Sequence, residues 1–94
     1  MEMKVILKYA GIVHEITGKL SEEIELGAET SLSDILRRLA LQYGLRFKEH
    51  VFDYKANKPA PQILILLNGK IIQDYDRKIN DGDFVSIMPM VSGG

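Results

Sequence analysis

Two segments near the start of the chain alternate between apolar and polar residues. Residues 3–9 place Val5, Leu7 and Tyr9 on one side, and residues 22–26 repeat the same period of two. This alternation is typical of a β-strand with one buried face. Because the two segments are close in the sequence, with glycines between them, we expect them to pair as an antiparallel hairpin.

The middle of the chain carries the clearest helical pattern. Ser31, followed three residues later by Asp34, is a variant of the capping box that starts a helix, and Gly44 is a typical residue just after a helix end. Six apolar residues between them recur at the spacing of one helix face: Leu32, Ile35, Leu36, Leu39, Ala40 and Tyr43. The pattern predicts one amphipathic helix from Leu32 to Tyr43.

The second half of the chain predicts three more strands. Residues 63–67 are apolar on both faces, as in a central buried strand. Asn68 and Gly69 follow at once and are a strong signal for a tight hairpin, which predicts a short return strand. Residues 84–88 form the last strand, and Pro89 ends it because proline cannot donate a hydrogen bond to a sheet.

The predicted order is strand, strand, helix, strand, short strand, strand. Residues 45–61 predict only a short helical turn and a loop. One long helix on one face of a mixed sheet of about five strands is the ubiquitin-like β-grasp arrangement of α+β proteins, with the first and last strands as parallel neighbours. We expect the helix to pack on Leu7, Ile65 and Ile87. Residues 1–89 are then one β-grasp domain, and residues 90–94 are a flexible reactive tail.

Composition narrows the class of protein. The 94 residues suffice for one domain, which is too small for a deep internal active site. The absence of cysteine excludes a thiol nucleophile, an iron–sulfur cluster and a disulfide framework. A net charge of -1 gives no basic footprint for nucleic acid, and no apolar stretch is long enough to span a membrane. With no signal peptide visible, we expect a cytoplasmic protein that binds neither nucleic acid nor membranes.

The side chains inside the predicted domain do not form a pattern for catalysis or metal binding. His14 and His50 are far apart in the sequence, and neither has ligand spacing to a pair of carboxylates. Asp81 and Asp83 flank Gly82, which is the composition of a turn. We therefore expect surface histidines, an Asp-Gly-Asp turn, and no bound metal or cofactor.

The chain closes with two glycines after its last predicted strand. A frayed end could carry Gly93 and Gly94 by chance, but a β-grasp domain ahead of them favours a functional tail. Glycine has no side chain, so such a tail can thread a narrow channel in another protein. Residues 90–94 can reach at most about 16–18 Å from the domain.

The last residues also carry a resemblance to a known family. Residues 81–94 resemble the C-terminal signature of the small subunit of molybdopterin synthase, the MoaD family: a Gly-Asp turn, an apolar strand, prolines, a valine, a small residue and Gly-Gly. Residues 5–10, 15–18 and 67–69 are similar to the family as well, so the resemblance covers nearly the whole chain. Met90 departs from it, because the family usually has a second proline there.

The resemblance implies a sulfur carrier that is not catalytic alone. A ubiquitin-activating-type enzyme would use ATP to adenylate the carboxylate of Gly94, and sulfur would then replace AMP to give a thiocarboxylate. Bound to the large subunit of molybdopterin synthase in a heterotetramer, the carrier would donate this sulfur to a pterin precursor in molybdenum cofactor biosynthesis. Gly94 would hold the reactive group, and four residues would thread the partner's active site: Gly93, Ser92, Val91 and Met90.

Two other functions fit the same sequence. A ubiquitin-like protein modifier would be joined through Gly94 to lysines of target proteins, which needs the same acyl-adenylate. A β-grasp interaction module would use no C-terminal chemistry at all. For any function with a partner, we expect a binding patch on the sheet face away from the helix, and the family position nominates Tyr9, Ile71 and Met88.

Overall fold

A computed structural model of the chain describes residues 2–90, which form one α+β domain. The secondary structure of these residues consists, in chain order, of β1 (Glu2–Tyr9), α1 (Ile12–Thr17), β2 (Ser21–Gly27), α2 (Leu32–Tyr43), α3 (Leu45–His50), β3 (Phe52–Asp53), β4 (Lys58–Pro59), β5 (Ile63–Leu67), β6 (Lys70–Ile71) and β7 (Phe84–Pro89). The predicted ubiquitin-like β-grasp fold is confirmed, since five of the strands form one mixed sheet with the long helix α2 on one face.

The main sheet has the strand order β2-β1-β7-β5-β6. β1 and β7 are parallel neighbours, with Leu7 opposite Val85 and Tyr9 opposite Ile87. β2, β5 and β6 all join by antiparallel pairing. The prediction that the first and last strands pair in parallel near the middle of the sheet is therefore confirmed. The strand from which the tail continues is the central one.

α2 has the predicted bounds, and its start is capped as the sequence indicates. The Ser31 hydroxyl accepts the Asp34 N–H at 3.2 Å, and the Asp34 carboxylate accepts the Ser31 N–H at 2.9 Å, which completes a capping box. That backbone hydrogen bond lowers the pKa of Asp34. After the last turn, Gly44 takes a φ of 82°, a value that favours glycine.

The core lies between α2 and one face of the sheet. The predicted contacts of the helix stripe are confirmed, because Leu32, Ile35, Leu36 and Leu39 are fully buried in one cluster with the inward residues of the strands. Those inward residues include Val5, Leu7, Ile24, Leu26, Ile65 and Ile87. Sheet residues of the opposite parity point away from this core, so the sheet keeps a second face that α2 does not cover.

The short helix α1 and the small β3-β4 hairpin were not predicted, whereas α3 lies where a short helical turn was expected. α1 lies in the connection between β1 and β2, which still pair as the expected antiparallel neighbours. It buries Val13 and Thr17, but a helix of six residues is under two turns and gives no recurring stripe. The segment 45–61 contains α3 and the small β3-β4 hairpin, where the sequence predicts only a helical turn and a loop.

Candidate functional site: the open sheet face and the base of the tail

Most of the predicted tail lies outside the described residues. Val91, Ser92, Gly93 and Gly94 belong to that part of the chain, so their predicted roles stay predictions. Met90 is the last described residue, and 52% of it is exposed. The structure therefore shows the base from which the tail continues.

The base of the tail is held from both sides by the sheet. On one side, the Ala10 N–H donates to the Ile87 carbonyl oxygen at 3.2 Å. On the other side, Pro89 lies opposite Ile63 at the end of the antiparallel ladder. One residue further, the Met90 N–H donates to the Gln62 carbonyl oxygen at 2.6 Å. Pairing thus fixes the backbone up to Met90.

The sheet face that α2 does not cover carries a strip of apolar side chains, which we call the open face. Its members come from four strands and are wholly or partly exposed: Ile6, Leu64, Leu66, Ile71, Phe84 and Met88. The register brings them together, since Ile6 lies opposite Phe84 and Leu64 lies opposite Met88. Ile71, which is 62% exposed, lies opposite Leu66. Contiguous exposed apolar surface of this kind tends to mark a protein interface.

Charged side chains border one side of the open face. On β1, Lys4 and Lys8 flank Ile6, and the Lys8 ammonium lies 4.3 Å from the centre of the Phe84 ring. On β2, Glu23 lies opposite Ile6 and another glutamate lies opposite Lys4. The open face is thus an apolar strip with a lysine row and a glutamate row along one edge. Such a border suits a partner with an apolar anchor and its own charged rim.

One predicted member of the binding patch is placed wrongly. Tyr9 is only 3% exposed and points to the core side of the sheet, with the same parity as Leu7. Strict alternation along β1 requires this orientation. Ile71 and Met88 do lie on the open face, as predicted, and their role in partner binding stays a prediction.

Tyr9 instead belongs to a polar cluster around Glu22. One oxygen of the Glu22 carboxylate accepts hydrogen bonds from the Tyr9 hydroxyl at 2.6 Å and from the Tyr43 hydroxyl at 2.5 Å. The Lys19 ammonium lies 3.3 Å from the other oxygen of the same carboxylate. Burial and the hydrogen bond to Glu22 both raise the pKa of Tyr9. Burial alone would raise the pKa of Glu22, but hydrogen bonds from Tyr43, Tyr9 and Lys19 lower it. The cluster ties β1, β2 and α2 together around an ionised carboxylate.

The other polar candidates are structural, as the sequence indicates. Asp81 accepts the backbone N–H of Lys4 at 2.7 Å, and Asp83 accepts the N–H of Asn80 at 2.8 Å, so both carboxylates shape the turn before β7. The His14 ring nitrogen lies 2.9 Å from the Lys19 carbonyl oxygen. Over residues 2–90, no group of three or more histidine, cysteine or acidic side chains could hold a metal ion. No helix within the same residues is long and apolar enough to cross a membrane.

The parallel β1-β7 pair at the centre of the sheet and the covering helix α2 define a ubiquitin-like β-grasp domain. The sequence profile of the ThiS family matches residues 7–94. The chain belongs to the ThiS family, a group of ubiquitin-like sulfur carriers. The matched range includes the two final glycines.

Individual relatives align over almost the entire chain. The small archaeal modifier protein 3 of Haloferax volcanii is 26% identical over 95 residues, which cover 98% of this chain and 100% of that protein. A candidate molybdopterin converting factor subunit 1 from Pyrococcus furiosus is 30% identical, with a TM-score of 0.77 and coverage of 95% and 99%. The complex of subunits 1 and 2 of molybdopterin-converting factor from Helicobacter pylori contains a chain that is 26% identical, with a TM-score of 0.59 and coverage of 98% and 100%. The resemblance noted from the sequence is thus confirmed for the class of carrier.

Proposed function

We propose that this protein is the sulfur-carrying small subunit of a molybdopterin synthase. Its reactive group is the carboxylate of Gly94, which becomes a thiocarboxylate and donates sulfur to a pterin precursor. The observation that carries the proposal is the family match through residue 94, on a domain whose central strand is fixed up to Met90. The similarity to the candidate molybdopterin converting factor subunit 1 of Pyrococcus furiosus supports this pathway.

The chemistry requires an activating enzyme, because a carboxylate is a poor electrophile. In the proposed first step, one oxygen of the Gly94 carboxylate attacks the α-phosphorus of ATP, and pyrophosphate leaves. The acyl-adenylate then has AMP as its leaving group, so hydrosulfide attacks the Gly94 carbonyl carbon and the bond to AMP breaks, with release of AMP and a proton. The product is a thiocarboxylate, in which sulfur has replaced one carboxylate oxygen. Catalytic side chains come from the partners, while this chain supplies the reacting end and its placement.

The open face supplies a docking surface for these partners. Its apolar strip lies on β1, β5, β6 and β7 and therefore extends along the strand that leads into the tail. A partner seated on this face would lie beside the point where the tail begins. We propose that the activating enzyme and the large synthase subunit both bind there in turn. The structure of subunits 1 and 2 of molybdopterin-converting factor from Helicobacter pylori in complex supports the second of these partners, the large synthase subunit.

A second function, conjugation to target proteins, is favoured by one observation. The similar protein from Haloferax volcanii is a small archaeal modifier protein. In that function, a lysine amine of a target attacks the same acyl-adenylate and forms an isopeptide bond with Gly94. Both functions share the adenylation step and differ in the nucleophile that follows it.

Intact-mass spectrometry of the protein purified from its native cells tests the proposal. We expect a species that ends at Gly94 and is heavier than the unmodified chain by the mass difference between sulfur and oxygen. Incubation with the large synthase subunit and the pterin precursor should return this species to the unmodified mass. The sulfur-carrier proposal would be contradicted if every molecule ended in the unmodified Gly94 carboxylate and no thiocarboxylate form was found. High-mass conjugates of the protein to lysines of other proteins would then favour the modifier.

The docking surface is tested by replacing Ile71 with glutamate. We expect affinity for the activating enzyme to fall on the order of tenfold or more, because a charge would replace an apolar contact in a desolvated interface. The melting temperature should stay near that of the parent, since Ile71 is 62% exposed. Leu41→Glu is the matched control, because Leu41 is 64% exposed but lies on α2, on the other side of the sheet. Equal binding by the two variants would rule out the open face as the docking surface.

A further inference from the structure

Gly11 lies directly against the last residue of β7. This glycine precedes α1, and a Cβ atom built on it would lie 2.6 Å from Cγ and 2.9 Å from Cδ of Pro89. Two backbone hydrogen bonds hold the same end of β7. The Ala10 N–H donates to the Ile87 carbonyl oxygen, and on the opposite side the Met90 N–H donates to the Gln62 carbonyl oxygen. The end of β7 is therefore enclosed between the β1-α1 corner and the segment that leads into β5.

We propose that Gly11 is a positioning residue that, together with the Gln62 carbonyl, fixes the point from which the reactive tail leaves the domain. The proposal rests on the proposed function, because it assigns Gly11 a role in delivering the Gly94 carboxylate. We call this arrangement the tail clamp: Gly11 against Pro89 on one side, and the Met90–Gln62 hydrogen bond on the other.

Two independent constraints act on Gly11, and only one of them acts on the glycine at the other end of α1. Gly11 has φ 59° and ψ -131°, a region that essentially only glycine adopts, whereas Gly18 has φ 74° and ψ 9°, in the left-handed region that other residues enter at a smaller cost. A Cβ on Gly18 would meet nothing within 4 Å, whereas a Cβ on Gly11 would collide with the Pro89 ring. Gly18 is therefore a control for a substitution next to α1 without the contact to the tail base, and comparison in a Pro89→Ala background controls for the larger backbone strain at Gly11.

The tail clamp shortens the part of the chain that can search for the partner's active site. Four residues, Val91 to Gly94, lead from it to the proposed reactive carboxylate, and they span at most about 14 Å when fully extended. A carboxylate must approach the α-phosphorus of ATP within a narrow range of positions, and a misplacement of ~1 Å can cost about a hundredfold in rate. With so short a tail, a shift of Pro89 moves the whole volume that the carboxylate can reach.

The first test compares Gly11→Ala with Gly18→Ala in pyrophosphate exchange with the activating enzyme. We expect Gly11→Ala to lose more stability than Gly18→Ala, because its backbone strain is larger and its Cβ meets Pro89. Assayed well below its melting temperature, Gly11→Ala should also lose on the order of tenfold to a hundredfold in kcat. The KM for the carrier should change little, because the open face that docks is not altered. Adding Pro89→Ala removes the Cγ and Cδ atoms, so the double variant should return to the kcat of Pro89→Ala alone. Equal kcat values for Gly11→Ala and Gly18→Ala would overturn the proposal.

A second measurement does not depend on the proposed function. We expect protection of the Met90 amide from hydrogen exchange to fall on the order of tenfold in Gly11→Ala and to stay at the parent value in Gly18→Ala. Unchanged Met90 protection in Gly11→Ala would show that the contact does not control the tail base, and the tail clamp would be rejected. If the parent protein itself supported no exchange with activating enzymes, the proposed function would fail, and the Met90 amide would still decide the tail clamp.

Discussion

Deletion of Gly93 and Gly94 is expected to abolish adenylation completely and to leave the fold unchanged. The truncated chain would present the carboxylate of Ser92, which lies two residues short of the normal end and carries a side chain. The lost reach is about 7 Å, far more than the ~1 Å misplacement that already costs about a hundredfold. The measurement is pyrophosphate exchange with the cognate activating enzyme and ATP.

The controls for this deletion separate reach from folding. The melting temperature should match that of the parent, because the last described hydrogen bond of the chain belongs to Met90, which the deletion keeps. A chain extended by one residue beyond Gly94 should be inactive too, since it displaces the carboxylate in the opposite direction. Sustained exchange by the truncated protein would reject the sulfur carrier and the protein modifier together and leave only a passive interaction module.

Replacement of Leu36 by alanine is expected to lower the free energy of unfolding by roughly 2–5 kcal/mol. Leu36 is fully buried on α2, in the same cluster as Leu7 and Ile87 of the central strands. Truncation removes apolar contacts and leaves a cavity that the neighbouring side chains fill only in part. Urea denaturation measures the change, provided that the slope of the unfolding free energy against urea concentration is the same for both proteins.

Leu41→Ala on the same helix is the matched control for Leu36→Ala. Leu41 is 64% exposed, so the same chemical change should alter the free energy of unfolding by less than about 0.5 kcal/mol. Similar losses for the two variants would mean that α2 does not bury its predicted stripe. A loss at Leu36 below about 1 kcal/mol would contradict the central position of this side chain in the core.

The sequence predicts those parts of the fold whose signals are long or chemically specific. α2 has three turns, an apolar stripe and caps at both ends, so its bounds follow from the sequence. Asn68 and Gly69 both take positive φ values, 52° and 86°, which is the turn that their residue types favour. α1 and α3 have six residues each and too few turns to repeat a pattern, so neither could be delimited.

The chemistry of the candidate site stays a prediction from the sequence, whereas the geometry at the base of the tail could not be predicted from it. The two final glycines and the resemblance of residues 81–94 indicate the reactive end, whereas the contact between Gly11 and Pro89 joins residues far apart in the sequence. In the sequence, Gly11 indicates only that the chain breaks between two strands. Tyr9 was misplaced because a family position outweighed the alternation along β1, which correctly points its side chain to the core.

The central position of β7 links folding to the ability to carry sulfur. β7 is the only described strand that joins β1 to β5, so a chain without Phe84–Pro89 exposes two unpaired strand edges and has no continuous sheet. Closing the sheet requires contacts between residues near opposite ends of the described chain, such as Ile6 with Phe84, and pairing over so large a sequence separation slows folding. An incompletely folded chain therefore cannot offer a correctly anchored tail, and under the proposed docking a partner on the open face would bind only chains in which β7 has paired.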